Sequence, residues 1–329
     1  MDLGIDLGTA NTVVSDYRRG ILFDQPSVMV VRRSGSRRER VLAVGQDAAD
    51  LLGRAPTSQF AAVRPLEDGV VTDLETTRLY LRSVLREAGR RVLSPVRAVI
   101  GVPAGSSPLE HRALLEAAAE AGIRPVTALD ESIAGAVGCG LDPLERRVHL
   151  VVDVGGGTAE AVAFCFGGIL THRTIKLGGD EMTVAVLRYL RVEHQLHVGE
   201  LEAEALKIRA GSNGHGPLVV QGRDAATGRA RLATVQSAEV AEAVRPISEE
   251  IVRTLAACLD DLAPQAIADV LAEGVLVFGG ASRIHGLAED LERGLGLPVK
   301  LAEQPLTCVA DGAARALRNR RLLAAYGRR

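Results

Sequence analysis

The sequence predicts an α/β protein built by duplication, with two lobes around a cleft and a small insertion in each lobe. One pattern occurs twice, at residues 4–14 and 151–162: an apolar strand, an aspartate, a turn of glycine and threonine, and a second apolar strand. After each copy the chain continues in the same order through a polar insertion, a helix, a buried strand and another helix. Duplicated units of this kind pack as two layered lobes, so we expect one ligand between them.

The first lobe is expected over residues 1–138, with its insertion at about 32–71. Asp73 is expected to cap a helix whose apolar residues follow helical spacing, and Gly122 is expected to end a later one. The predicted elements are strands at 3–6, 12–16, 27–31 and 41–45, a short helix at 46–52, the helix after Asp73, a strand at 98–102, a helix at 109–121, a strand at 125–129 and a helix at 132–137.

The second lobe is expected over residues 139–302, with its insertion at about 181–241. Residues 303–329, with a final helix at 312–325, are expected to complete the first lobe. The predicted elements of the second lobe are strands at 148–152 and 218–221, helices ending near 194 and covering 200–208, an amphipathic helix at 246–262, a strand at 275–278 and a helix that ends at 295.

Both repeated turns have the composition of a phosphate site, because glycine lets backbone N–H groups approach phosphate oxygens without a Cβ in the way. Neither turn is a P-loop or a dinucleotide fingerprint, since no Gly-Lys-Ser/Thr follows and the next element is a strand. One copy alone is equally well explained as an ordinary hairpin, whereas two copies favour a nucleotide. The expected binding residues are Gly8, Thr9, Ala10, Asn11 and Thr12 in the first turn and Gly155, Gly156, Gly157 and Thr158 in the second.

An aspartate ends the first strand of each copy, Asp6 in the first and Asp153 in the second. A carboxylate repels phosphate but can hold Mg²⁺ or its waters, and the ion then reaches the phosphate oxygens. We therefore predict that these two aspartates form the metal site. A third turn of small residues allows adenine or ribose to lie against the backbone. It consists of Gly279, Gly280, Ala281 and Ser282.

The composition narrows the class of protein. The net charge is -2 and the chain has no tryptophan, which together speak against nucleic acid as a partner. The four cysteines lie in apolar runs without metal-ligand spacing, so we expect small buried residues. The first predicted strand begins at residue 3 and no apolar run approaches about 20 residues. We therefore expect a cytoplasmic protein.

Four further stretches, taken with the two hairpins, carry a resemblance to a known family. They are Ala-Val-Arg-Pro-Leu-Glu-Asp-Gly-Val at 62–70, Ile-Gly-Val-Pro-Ala-Gly at 100–105, Gly-Gly-Asp-Glu-Met at 178–182 and Pro-Leu-Thr-Cys-Val-Ala at 305–310. The chain resembles the actin, heat-shock-chaperone and sugar-kinase ATPases, and among them the MreB-like bacterial actins. The resemblance implies a duplicated actin-like ATPase fold that binds ATP, or GTP, with Mg²⁺.

The resemblance also implies a function and partners. Proteins of this family polymerise on the inner face of the cell membrane and determine cell shape by organising cell-wall synthesis. The implied partners are further copies of the chain, the membrane surface, and membrane cell-wall elongation proteins such as MreC, MreD and RodZ. Two alternatives within the superfamily stay open: a chaperone-type ATPase, which normally carries a C-terminal peptide-binding domain, and a sugar-kinase-type enzyme, which needs a further base in the cleft.

Roles for single residues follow from the same resemblance. Glu131, with Asp130 beside it, is expected to orient the water that attacks the γ-phosphate, although a glutamate at a helix start is also favoured by the helix dipole alone. Glu204 and Lys207 are expected to contact the nucleoside, although such a pair often lies simply on a solvated helix face. Three positions depart from the family pattern: Ser132, where the family usually has proline, Ala205, where it usually has glutamate, and Ala281, where it usually has glycine.

The resemblance also implies that the loop at 90–95 inserts into the membrane. It places Val92 and Leu93 after Arg90 and Arg91, with Arg97 close by. Each arginine near anionic lipid adds about 1 kcal/mol of attraction. The alternative is an ordinary connection from a helix to a strand, with the two apolar side chains tucked inward.

Overall fold

The computed structural model describes residues 1–32, 40–54, 56, 59–67, 69–89, 95–212, 216–284 and 286–328. In chain order its strands are β1 (Asp2–Leu7), β2 (Asn11–Asp16), β3 (Gly20–Pro26), β4 (Met29–Arg32), β5 (Arg40–Val44), β6 (Phe60–Val63), β7 (Leu66–Glu67), β8 (Val70–Val71), β9 (Arg97–Val102), β10 (Val126–Asp130), β11 (His149–Val154), β12 (Ala159–Cys165), β13 (Gly168–Ile175), β14 (Leu196–His197), β15 (Pro217–Asp224), β16 (Ala230–Gln236), β17 (Val275–Phe278) and β18 (Val299–Leu301).

The α-helices alternate with these strands. They are α1 (Gly45–Ala49), α2 (Leu74–Glu87), α3 (Pro108–Glu120), α4 (Glu131–Gly138), α5 (Gly179–Glu193), α6 (Glu200–Ser212), α7 (Ser237–Ala256), α8 (Pro264–Glu273), α9 (Leu287–Leu295), α10 (Cys308–Ala316) and α11 (Arg320–Tyr326). Short 3₁₀ helices lie at Leu259–Asp261 and Gly280–Arg283. Within the described ranges, no helix combines the length and the apolar character needed to cross a membrane.

Two five-stranded mixed sheets confirm the duplication. The first has the order β10-β9-β1-β2-β3 and the second, read in the same direction, β18-β17-β11-β12-β13. In each sheet the central strand, β1 or β11, pairs antiparallel with the next strand of its hairpin and parallel with a strand from later in its half. The two repeated turns therefore lie at equivalent ends of two equivalent central strands.

Three small sheets lie in or beside the ranges predicted as insertions. The sheet of order β5-β4-β6 takes β4 from just before residue 32 and its other two strands from the first range, which also contains the short β7-β8 pair; the β14-β15-β16 sheet lies within the second range. Alternating burial along β15, in which Leu218 and Val220 face the core while Val219 is exposed, is that of a sheet with one solvated face.

Most predicted elements are confirmed, and their ends have visible causes. Asp73 caps α2 by accepting a hydrogen bond from the Thr76 N–H at 2.7 Å. Gly122, with φ of +93°, follows α3. At the other end of that helix, Ser107 and Glu110 form a capping box.

Other elements were predicted wrongly. The helix expected at 246–262 is α7, which runs from Ser237 through Pro246 to Ala256. Proline removes one helical hydrogen bond, but apolar residues on both sides of it pack on one core and carry the helix through. The final helix is also two helices, α10 and α11, because Asn319 caps the second by accepting from the Leu322 N–H at 3.0 Å. Among the elements that were not predicted are strands β3, β13 and β18 and helix α8.

The two lobes are joined by α4 and α10, which cross at glycines. Gly138 of α4 and Gly312 of α10 lie at the crossing, where a Cβ on Gly312 would lie 1.7 Å from the Ala134 carbonyl oxygen. A Cβ on Gly4 of β1 would lie 2.0 Å from the Ala310 carbonyl oxygen, so α10 also lies directly on the central strand of the first sheet. The C-terminal segment thus packs on the first sheet through α10.

We predict that Gly312→Ala destabilises the protein by more than about 3 kcal/mol, because the new methyl group meets backbone that cannot move aside. The matched control is Gly216→Ala, since a Cβ at Gly216 meets nothing within 4 Å, and it is expected to change stability by less than about 0.5 kcal/mol. Urea unfolding of both variants provides the measurement. Equal stability of the two would show that the helix crossing is looser than the structure describes.

Candidate functional site

A cavity of about 250 Å³ lies between the two lobes, where the repeated turns face each other. Both turns close with the same backbone hydrogen bond: the Gly8 N–H donates to the Asn11 carbonyl at 3.0 Å, and the Gly155 N–H donates to the Thr158 carbonyl at 2.9 Å. A Cβ on Gly156 would lie 2.7 Å from the Ala10 Cβ, so only glycine permits this close approach of the turns.

Most predicted binding residues line this cavity. Those brought together are Asp6, Gly8, Thr9, Ala10, Asn11, Glu131, Asp153, Gly155, Gly156, Gly157, Thr158, Glu204, Lys207, Gly279, Gly280 and Ala281. The two repeated turns lie far apart in the sequence, and the duplicated pattern predicted that they would meet. The third turn was expected separately, as a contact for adenine or ribose.

Three predicted residues lie outside the cavity wall. The Thr12 hydroxyl is fully buried and hydrogen-bonds with Ser27 at 2.8 Å and Tyr80 at 3.0 Å. The Ser282 hydroxyl donates to the Gly279 carbonyl at 2.7 Å, which shapes the third turn from behind. The Asp130 carboxylate is turned toward Arg328, 3.3 Å away. These side chains support the site from behind, and none of the three lines the cavity.

Three acidic side chains from both lobes, Asp6, Glu131 and Asp153, converge at the floor of the cavity. Burial and the charge of Asp24 raise the pKa of Asp6 to about 7. Burial and then the charges of Asp6 and Asp153 raise the pKa of Glu131 well above its usual range. Burial, Asp6 and Glu160 do the same to the pKa of Asp153.

This cluster has the chemistry of a divalent-cation site that is completed by a ligand. Within the described part of the chain, no three His, Cys, Asp or Glu side chains form a complete metal site. Mg²⁺ commonly takes one or two carboxylates and fills its remaining positions with water and substrate phosphates. The carboxylates of Asp6 and Asp153 fit that pattern, because each is held near other negative charges that a cation would offset.

Glu131 occupies its position because a glycine leaves room for it. It is the first residue of α4, directly after β10, and its side chain packs on Gly101 of β9. A Cβ at Gly101 would lie 2.9 Å from the Glu131 Cγ. The Gly-Val-Pro stretch that carried the family resemblance thus positions the predicted catalytic carboxylate.

Glu160, which was not predicted, links the two lobes beneath Glu131. Its buried carboxylate accepts hydrogen bonds from the Ser132 hydroxyl at 2.7 Å and the Ala104 N–H at 2.9 Å, both in the first lobe. Burial raises the pKa of Glu160 to about 7, and the Ser132 hydrogen bond opposes that rise. Nothing in the local sequence around Glu160 indicated this contact.

Lys207 and Glu204 form one edge of the cavity. The Lys207 ammonium donates to the Gly179 carbonyl at 2.6 Å and to the Thr183 hydroxyl at 3.0 Å, and it pairs with Glu204 at 2.6 Å. A lysine has three N–H donors, so these contacts use all three. Glu204 keeps 40% of its side chain exposed and can accept a further hydrogen bond.

Arg64 spans the mouth of the cleft, and sequence reasoning did not single it out. Its guanidinium pairs with Glu200 of the second insertion at 2.8 Å and donates to the Thr9 carbonyl of the first turn at 3.4 Å. The Gly69 N–H donates to the Thr9 hydroxyl at 3.1 Å. Both Arg64 and Gly69 lie in the 62–70 stretch. The resemblance of that stretch to the family is the feature of the sequence that could have indicated their role.

The cavity, the duplicated sheets and the apposed turns define a protein of the actin-like fold with a nucleotide-type cleft. A model of the MreB/Mbl protein family matches residues 1–325. The cell shape-determining protein MreB of Escherichia coli is 37% identical over 325 residues, 96% of this chain and 93% of that protein. The cell shape-determining protein Mbl of Bacillus cereus is 35% identical over 323 residues, 97% of this chain and 96% of that protein.

Among solved structures, that of MreB 5 of Spiroplasma citri bound to AMPPNP matches with a TM-score of 0.87 and 27% identity, over 94% of this chain and 93% of that one. The chain therefore belongs to the MreB/Mbl family of bacterial actins. The actin-like fold expected from the sequence is confirmed.

The acidic floor makes the stability of the free protein depend on pH. A carboxyl group whose pKa is raised by folding stabilises the protein while protonated, and that contribution is lost as pH rises from about 4, the unfolded value, through the folded value. For Asp6 the folded value is about 7. We therefore predict that the melting temperature falls between pH 5 and pH 8.

Asp6→Asn should flatten this pH dependence, whereas Glu116→Gln, at an exposed position, should leave it unchanged. Differential scanning calorimetry without nucleotide at several pH values provides the comparison. An equal slope for wild type and Asp6→Asn would show that Asp6 does not titrate in this window.

Proposed function

We propose that this chain binds ATP with Mg²⁺ between its lobes, hydrolyses it, and assembles into filaments that help determine cell shape by organising cell-wall synthesis. The observation that carries the proposal is the apposition of two Gly/Thr turns over an acidic floor, in a chain that matches the MreB/Mbl family over residues 1–325. The nucleotide-bound structure of the Spiroplasma citri relative supports nucleotide as the ligand of this cleft.

Each part of the cleft has a role in this proposal. Backbone N–H groups of Gly8–Asn11 and Gly155–Thr158 hold the phosphates, and the Thr9 and Thr158 hydroxyls add donors. Asp6 and Asp153 hold the cation or its waters. When bound, Mg²⁺ offsets charge on the β- and γ-phosphates. The third turn and Glu204 face the nucleoside, and the Lys207 ammonium holds Glu204 and the Gly179 carbonyl in place.

Glu131 is the residue proposed to orient and deprotonate the attacking water. Its raised pKa makes the carboxylate a stronger base than an exposed glutamate. Positive charge in the cleft would bring that pKa down toward neutral pH, where a general base works best. Asp130 supports the start of α4 through its contact with Arg328 rather than facing the water.

The proposed location is the cytoplasmic face of the inner membrane, with the protein peripheral to it. Val92 and Leu93, the proposed insertion residues, lie outside the described residues. Arg97, which was expected to assist them, hydrogen-bonds with Asp2 at 2.8 Å, so lipid attraction would rest on Arg90 and Arg91. Self-association and contact with membrane cell-wall elongation proteins such as MreC, MreD and RodZ complete the proposal; nucleic acid is no partner in it.

Light scattering with purified protein tests the proposal against its alternatives. We expect scattering to rise above a threshold protein concentration with ATP·Mg²⁺ and to stay low with ATP and EDTA. Parallel runs with GTP·Mg²⁺ decide nucleotide preference. Turnover without polymer, stimulated by a sugar, would favour the kinase alternative, and turnover stimulated by an unfolded peptide would favour the chaperone alternative.

We predict that Glu131→Gln retains ATP binding but slows phosphate release about 10²-fold or more, since this is the usual scale for one acid–base group. Filaments of the variant should therefore persist longer. Glu116→Gln, on the exposed face of α3, is the control and should hydrolyse ATP at the wild-type rate. Unchanged phosphate release by Glu131→Gln would remove Glu131 from the mechanism.

Asp6→Ala and Asp153→Ala should weaken Mg²⁺-dependent nucleotide binding to a similar extent, because both carboxylates serve one ion. Isothermal titration with ATP, with and without Mg²⁺, separates this loss from loss of phosphate contacts. A defect in only one variant would contradict a shared metal site.

A further inference from the structure

Two of the four cysteines meet at the point where the chain crosses between the lobes. Cys139 caps the C-terminus of α4, and Cys308 is the first residue of α10. Their side chains interact with each other, and the Cys308 thiol donates to the Pro305 carbonyl at 3.7 Å. The sequence predicted four separate buried cysteines; instead Cys139 and Cys165 are partly exposed.

The backbone around the pair is tightly fixed. A Cβ on Gly138 would lie 3.0 Å from the Cys308 Cα, so the residue before Cys139 packs directly on Cys308. The Arg315 guanidinium of α10 donates to the Val137 and Gly138 carbonyls at 3.2 and 3.0 Å, which ties the end of α4 to the same helix. The two sulfurs are therefore held together by neighbours that are part of the lobe junction.

The two thiols differ in a way that suits stepwise oxidation. The interaction with Cys308 and the nearby Arg315 charge lower the pKa of Cys139, which favours its thiolate. Cys308 is almost fully buried, and its contact with Cys139 together with burial raises its pKa. A partly exposed thiolate beside a buried thiol is the arrangement in which the first is oxidised and the second resolves it.

We propose that Cys139 and Cys308 form a peroxide-responsive thiol pair whose disulfide ties the two interlobe crossovers together. The Cys139 thiolate attacks a hydroperoxide, R–O–O–H: its sulfur gains the terminal oxygen as a sulfenic acid, and the O–O bond breaks to release alkoxide, which takes a proton. The Cys308 sulfur then attacks the sulfenic sulfur, and the hydroxyl leaves as water with the Cys308 proton. The sulfurs lose two electrons in all, and the peroxide gains them.

The disulfide would act on the cleft through α10. Pro305, Leu306 and Val309, which flank Cys308 in sequence, line the cavity. The α4 and α10 crossing is where the lobes are joined, so a covalent bond between these elements would restrict a turn of one lobe against the other. This consequence rests on the proposed function, because it assumes that nucleotide leaves through the opening of the cleft.

The experiment oxidises the full-length protein with stoichiometric hydrogen peroxide and maps disulfides by digestion under non-reducing conditions. We expect loss of two free thiols and a peptide pair joined through Cys139 and Cys308. Cys308→Ala should instead trap a sulfenic acid on Cys139 that reacts with dimedone, and Cys139→Ser should give neither product. Cys165→Ser, at the other partly exposed cysteine, is the matched control and should behave as wild type.

A second readout follows release of a fluorescent ADP analogue. Oxidised wild type should release it more slowly by roughly an order of magnitude, dithiothreitol should restore the rate, and Cys139→Ser should be insensitive to peroxide. Free Cys139 and Cys308 after Cys165 has been oxidised would overturn the proposal, as would a mapped disulfide that leaves release unchanged. Failure of the reduced protein to bind the analogue would count against the proposed nucleotide function instead, because disulfide mapping needs no nucleotide.

Discussion

The close crossing of α4 and α10 is the contact on which the rest of the molecule depends. Gly138 and Gly312 let the two helix backbones touch, and Gly4 lets α10 lie on the central strand of the first sheet. These contacts fix one lobe against the other, and the apposition of the Gly156 and Ala10 turns follows from that placement. A nucleotide cleft made of two separate lobes exists only while their junction holds this geometry, so the site is as dependent on buried glycines as on its polar residues.

Folding of the cleft without a ligand is energetically unfavourable, because it buries several acidic side chains close together. Asp6, Glu131, Asp153 and Glu160 come from both lobes, and burial raises the pKa of all four. The charges of Asp6 and Glu160 raise the pKa values of Glu131 and Asp153 further, so this arrangement is favoured by protons or by a cation with its phosphates. A ligand that carries such a cation binds the closed form better than an open one and shifts the lobes toward closure. The same acidic cluster can thus hold the metal and couple nucleotide binding to the relative position of the lobes.

The features that could be predicted from the sequence are those that depend on nearby residues or on the repeated hairpin pattern. The two hairpins, the cap at Asp73 and the end of α3 at Gly122 were all predictable, because each depends on residues within a few positions. Thr12 and Asp130 were misplaced because their partners, Tyr80 and Arg328, lie 68 and 198 residues away. Pro246 misled the prediction of α7, since local propensity disfavours proline within a helix while distant core contacts retain it there.

Ser132, which departs from the family pattern, affects the site through a hydrogen bond to Glu160. The family pattern places proline after the two acidic residues, and proline has no hydroxyl group. Here the Ser132 hydroxyl donates to the Glu160 carboxylate at 2.7 Å, and the Ala104 N–H and the Thr174 hydroxyl donate to the same group. A buried carboxylate is strongly destabilising unless it is hydrogen-bonded, so Ser132 stabilises the charged form of Glu160. Because that charge also acts on Glu131, serine at this position adjusts the basicity of the proposed catalytic carboxylate through a residue that never reaches the nucleotide.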